Sequence, residues 1–136
     1  MLVSNLLAIH QKKYIGKLSA FCGAVSAGYA CGAAITYMLG GNFNQIANTI
    51  INTLANTSGI ICDGAKPSCA AKISSALDAA LLAHTMSMHD DVFQADEGII
   101  KDDLEKTIRA VGYIGREGMK STDIEVLNIM IDKVCP

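Results

Sequence analysis

The apolar positions of this chain recur with helical rather than strand spacing along its whole length. Residues 3–14 (VSNLLAIHQKKY) put Val3, Leu6, Leu7 and His10 on or near one face, which predicts a short helix. Gly16 breaks it, and Ser19 is placed to cap a second, Gly/Ala-rich helix that ends at Gly40 and Gly41. Ala20, Ala24, Gly28 and Gly32 recur there every four residues, making a smooth ridge on which another backbone can sit closely. From Asn44 to Thr57, Ile46, Ile50 and Leu54 form one stripe and Asn44, Asn48, Asn52 and Asn56 another. The Asn row reads as a solvated or inter-helix face in preference to a polar site lining.

Residues 59–69 read as a loop, with Gly64 loosening the backbone and Pro67 suited to the first turn of a helix that runs to about Met88. Residues 101–112 form the next helix, with Asp102 and Asp103 meeting the dipole in its first turn. Gly112, Gly115 and Gly118 predict a turn, and Thr122-x-x-Glu125 predicts a capping box opening a last helix through Lys133. No segment alternates with the period of a strand. The expected fold is all-α, one domain over residues 1–136, a compact bundle of about five helices around the Gly/Ala-rich central helix.

Composition narrows the function. Of 136 residues 51% are hydrophobic and only 18% charged, enough apolar content for a core, and the net charge of −2 excludes an electrostatic nucleic-acid binder. Aromatics at 5% supply no stacking platform for bases. The first 62 residues contain no acid, and residues 18–62 no charge at all, so Ala20–Leu39 has the length of a membrane span. Ser26, Tyr29, Thr36 and Tyr37 interrupt it, and Gly40, Gly41 and Asn42 follow where a basic flank belongs, so the segment reads as a buried helix and no membrane association is expected. No basic stretch precedes an apolar core at the N-terminus, and the cysteine count, five, is odd; together these point to the reducing cytoplasm.

Two of the five thiols stand out. Cys31, nine residues beyond Cys22, falls on the opposite face of a straight helix, which leaves it a packing role. Cys62 and Cys69 flank the Gly/Pro loop, and Cys69 falls in a first helical turn, where unpaired N–H groups favour thiolate. Six intervening residues exceed a zinc knuckle's spacing, whereas three thiolates, one of them from a distant helix, suit an iron–sulfur cluster with one iron left open. Packing remains the alternative for each.

The segments Ile15–Gly28 (IGKLSAFCGAVSAG), Leu39–Gly41 (LGG), Ala55–Lys72 (ANTSGIICDGAKPSCAAK) and Gly118–Asp123 (GMKSTD) resemble the C-terminal part of the L-cysteine desulfidase-like proteins, within the iron–sulfur L-serine dehydratase alpha-chain superfamily. The resemblance spans nearly the whole chain, and its Cys-Asp-Gly-Ala-Lys-x-x-Cys loop is its most specific part. It implies a helical, cytoplasmic lyase carrying a [4Fe-4S] cluster. Cys22, Cys62 and Cys69 correspond to the cluster ligands, and Cys31 to a further position of the helix motif. It also implies a small amino-acid substrate, L-cysteine giving pyruvate, ammonia and sulfide or L-serine giving pyruvate and ammonia. Members are roughly three times as long, so a partner chain or N-terminal portion is expected to complete the site, with a homo-oligomer as a further expectation.

Within that frame Lys66 is a candidate for pairing with the substrate carboxylate, against a reading as a solvated loop lysine. The loop N–H groups between Gly64 and Cys69 are candidate donors to the cluster sulfides or the substrate. His84 is the candidate base within the chain, with His10 and His89 beside it, set against structural or surface roles for all three. Asp63 reads as an acceptor that orders the loop. Cys135 reads as a free terminal thiol or, alternatively, as one that reaches the open iron and mimics a cysteine substrate. The competing function is a non-catalytic helical interaction module with structural cysteines. Convergence of the Cys22, Cys62 and Cys69 sulfurs around one pocket separates the two.

Overall fold

A computed structural model describes residues 1–133, and these form six α-helices: α1 (Leu2–Ile15), α2 (Gly23–Met38), α3 (Phe43–Thr57), α4 (Cys69–Met88), α5 (Leu104–Tyr113) and α6 (Lys120–Met130). A π-helical turn, Ile114–Gly118, joins α5 to α6, and no helix is long and apolar enough to cross a membrane. The fold is all-α. Helix α2 is central, packing against α1 on one side and α3 and α4 on the other. Its ridge works as the spacing predicts: a Cβ added at Gly28 would lie 2.8 Å from both the Cβ and the carbonyl oxygen of Ala76, and one at Gly32 would lie 2.9 Å from the Cβ of Ala80. Helix α4 answers with Ala76, Ala79, Ala80 and Ala83, all buried, so two small-residue faces meet at backbone distance.

Several local expectations are corrected. Helix α2 begins at Gly23 with Cys22 in the capping position, so Ala20 lies outside the ridge. Ser19 does not cap it; its hydroxyl accepts from the Phe21 N–H at 2.9 Å and donates to the Gly115 carbonyl at 2.5 Å, tying the α1–α2 connection to the π turn. Gly112, Gly115 and Gly118 do not make a turn, because the chain runs on from α5 through the π segment. Two of these glycines serve approach, since a Cβ on Gly112 would lie 2.3 Å from the Tyr14 Cβ and one on Gly115 3.2 Å from the Phe21 Cβ. Thr122 and Glu125 form no capping box, because α6 already starts at Lys120 and ends at Met130, short of Lys133. Asp103 precedes α5 and caps it by accepting from the Lys106 N–H at 2.8 Å. On α1 the buried positions are Gln11 and Ile15, while Leu6 is exposed.

The Asn row of α3 divides along its length. Asn44 and Asn56 are exposed, but Asn52 is 2% exposed, donating to the Asp91 carbonyl at 3.0 Å and accepting from the Phe93 N–H at 3.0 Å. It holds the segment after α4 against α3. Asn52→Ala strands both backbone groups and is expected to destabilise the fold by about 2 kcal/mol, read from the urea midpoint at unchanged m.

A polar knot joins α1 to α5. Glu105 accepts from the Tyr14 hydroxyl at 2.5 Å and the Arg109 Nε at 3.2 Å, and His10 Nε2 stands 2.8 Å from its other oxygen. Burial pushes the Glu105 carboxyl up, but the hydrogen bonds of Tyr14, His10 and Arg109 together bring it from the ordinary 4.5 to about 2. A carboxyl depressed in the folded state stabilises above its unfolded pKa, and that stabilisation is lost as pH falls from 4.5 towards 2. The urea midpoint is therefore expected to drop across that window, and Glu105→Gln to flatten the drop.

Candidate thiol site

Cys22 and Cys62 are brought onto one face by the one stretch of paired extended backbone among the described residues. Phe21 and Ile61 form an isolated antiparallel bridge, flanked by Cys22 N–H to the Ile60 carbonyl at 3.1 Å and Cys62 N–H to the Ala20 carbonyl at 2.6 Å. In such a pair, residues one step from the bridge lie on the same face, and diagonal neighbours sit about 7–8 Å apart. Cys22 and Cys62 are diagonal neighbours of this kind, 40 positions apart in the chain. Cys22 is buried and Cys62 half-buried against the same apolar core.

Cys69 enters from the other end of the loop as the first residue of α4, its Sγ 3.5 Å from the Gly64 carbonyl oxygen. Gly64 adopts φ +88°, a left-handed conformation that favours glycine and turns the loop back on itself. The N–H groups of Gly64, Ala65 and Lys66 have no intrachain partner among the described residues.

Asp63 holds the loop. It accepts from both Lys66 and Lys72, and these two ammonium groups, Lys66 first, bring its carboxyl down to about 2. Lys66, the candidate for the substrate carboxylate, is thus engaged with Asp63 on the exposed side of the loop. Lys72 is the residue sequence reasoning missed. Its Nζ also donates to the Ile61 carbonyl at 2.8 Å. Asp63 raises its pKa while burial opposes, and the sulfurs of Cys22 and Cys69 add to the rise. The available signal was its spacing: Lys72 follows Cys69 by three positions, on the same helical face.

A cavity of about 230 Å³ opens beside Cys62, walled by Leu18, Ser19, Gly64, Asp123, Leu127 and Met130. Its far wall belongs to α6, which lies over the loop with Met130 Cε 2.9 Å from where a Gly64 side chain would begin. A larger cleft of about 500 Å³, between Tyr14, Lys101, Arg109 and Tyr113, is separate from the thiols.

Residues 1–128 match the family described as serine dehydratase alpha chain. The chain belongs to that family. Similar proteins include the UPF0597 protein of Treponema denticola, 59% identical over 131 residues that make up 96% of this chain and 30% of that protein. Those of Finegoldia magna and Lachnoclostridium phytofermentans are 53% and 55% identical, over 98% and 97% of this chain and 32% of each relative. The chain thus spans about a third of the length of the curated relatives it matches. No solved structure matches it.

The histidines lie elsewhere. His10 belongs to the α1–α5 knot, and His89 is exposed at the end of α4. His84 Nδ1 stands 2.9 Å from Thr36 Oγ1, which also meets Thr49 Oγ1 at 2.9 Å, a polar link among α2, α3 and α4. Fifteen residues of α-helix separate His84 from Cys69, about 22 Å along the axis, so the two are not brought together. Cys31 is exposed on α2, and Cys135 lies outside the described residues. Among the described residues no three His, Cys, Asp or Glu side chains close on one point as ligands of a single metal ion.

Proposed function

We propose that this chain is the thiol-bearing part of an iron–sulfur-dependent lyase that eliminates the β-substituent of a small amino acid. With L-cysteine and water the products are pyruvate, ammonia and sulfide; with L-serine they are pyruvate and ammonia. The reading rests on one observation: the Phe21–Ile61 bridge puts Cys22 and Cys62 on a common face, and Cys69 closes the same loop from the start of α4. A donor set made of thiols alone is the chemistry that iron–sulfur clusters use. Cys22, Cys62 and Cys69 would hold a [4Fe-4S] cluster in this reading. When bound, such a cluster with one uncoordinated iron supplies a Lewis acid for charge that develops at the leaving group or carboxylate.

The chain's own residues prepare the site in three ways. Lys72 and Asp63 lock the loop so that the thiols keep their spacing. The N–H groups of Gly64, Ala65 and Lys66, without a partner among the described residues, are available as donors to anionic sulfide or carboxylate. The cavity beside Cys62, at about 230 Å³, is below the size of drug-sized pockets and in keeping with a three-carbon amino acid. No histidine of the chain reaches this place, so in this reading the group that removes the Cα proton belongs to the rest of the protein, on a partner chain or linked portion.

Anaerobic loading with iron and sulfide, followed by a pyruvate assay with L-cysteine and L-serine, tests the reading, with and without the complementary polypeptide of a relative. Iron retained by the chain together with pyruvate formed only in the combined sample is the expected result. No iron retained would favour the second reading, a non-catalytic interaction module, which the exposed apolar side chains of α6 support.

A further inference from the structure

An eleven-residue helix keeps its shape in water only when packing supports it, and α6 has no buried residue. Its inner side, Val126 and Met130, leans on the thiol loop. Ile124, Leu127 and, just past the last turn of α6, Ile131 follow at intervals of three and four, each between 51% and 59% exposed, with Leu127 at the rim of the cavity beside Cys62. That spacing is a seam for another helix, left in solvent. Leu18, 89% exposed, and Ile61 continue the apolar surface around the cavity beside Cys62.

We propose that the α6 seam is the docking face for the polypeptide that the relatives carry beyond this region, and that its docking closes the thiol site. Two observations choose this occupant over a second copy of the chain. The matched 131 residues are 30% of the Treponema denticola relative, leaving roughly 300 residues in the same molecule. A segment tethered this way meets the seam at an effective concentration near the millimolar range, well above that of a second copy. The seam also borders the cavity beside Cys62, the face where a site lacking its proton-removing group stays incomplete. The proposal rests on the reading of the thiols as part of a larger site, but its test uses reduced, metal-free protein, so either can fail without the other.

The test is hydrogen exchange at residues 120–130. It is measured in this chain alone, in this chain mixed with the non-matching part of the Treponema relative, and at the matched segment of the intact relative. Exchange within seconds in the isolated chain, slowed at least about a hundredfold in the other two samples, is the expected result. The triple variant Ile124→Lys, Leu127→Lys, Ile131→Lys is expected to lose the protection gained on mixing while keeping the thermal midpoint of the isolated chain. Should the separated piece prove insoluble, the intact relative alone decides. Fast exchange in the intact relative overturns the proposal, as does unfolding of the isolated chain by the triple variant. Protection that rises with the chain's own concentration also overturns it, in favour of a second copy.

Discussion

Cys62→Ser is expected to reduce the iron retained after anaerobic loading by at least about tenfold, from about four irons per chain. Cys62 is one of two thiols fixed by the backbone bridge, so its loss removes a donor without disturbing the pairing, which runs through main-chain atoms. Cys22→Ser and Cys69→Ser are expected to act alike, because each sulfur would serve a different iron. Cys31→Ser is the control, being exposed on α2 and away from the bridge, and it is expected to leave iron retention unchanged. Iron and acid-labile sulfide measured per chain decide the matter, and equal retention in Cys62→Ser and wild type would sink the ligand assignment. Far-UV circular dichroism on the same samples separates loss of a ligand from loss of the fold.

Gly28→Ala is expected to destabilise the chain by about 1–3 kcal/mol, although alanine is the better helix former by roughly 0.5–1 kcal/mol. The added methyl meets the Ala76 Cβ and carbonyl oxygen at 2.8 Å and the carbonyl carbon at 3.0 Å. Backbone atoms of a packed helix cannot swing aside as the end of a flexible side chain can, so α2 and α4 must separate. Gly32→Ala meets the Ala80 Cβ at 2.9 Å but the carbonyl oxygen only at 3.3 Å, which makes it the milder change. Ala76→Gly in the Gly28→Ala background is expected to restore only part of the loss, since it removes the methyl contact and keeps the carbonyl one. A double-mutant cycle in urea measures that coupling, and full additivity would show that the two helices do not meet there.

Helix positions and the α2 ridge were legible in the sequence because both arise from interactions within a few residues of each other. Spacing of three and four places side chains on one face, and the lack of large side chains at Gly28 and Gly32 admits a neighbouring backbone whichever helix supplies it. Capping was read less well, since a side chain has several acceptors within reach and the choice is tertiary: Ser19 takes the Gly115 carbonyl, 96 positions away, in place of its own helix. The glycines at 112 and 115 read as a turn for the same reason. Their small size serves the approach of α1, which nothing in their own neighbourhood announces.

At the site, the sequence by itself determined that Cys62 and Cys69 share a loop and that Asp63 orders it, because these residues are close along the chain. Only the tertiary structure decided that Cys22 shares a face with Cys62, through a bridge between segments 40 positions apart whose hydrogen bonds are made by main-chain atoms and therefore leave no side-chain signature. It also decided that Lys72 holds the loop and that His84 stands about 22 Å along α4 from Cys69, separations fixed by the rise of a helix that a residue list does not display. Within the acid-free first 62 residues, the uncharged stretch that has the length of a membrane span but reads as a buried helix became α2, packed against α1, α3 and α4. Apolar surface specifies burial but not by what, and the contacts among helices supplied the partner.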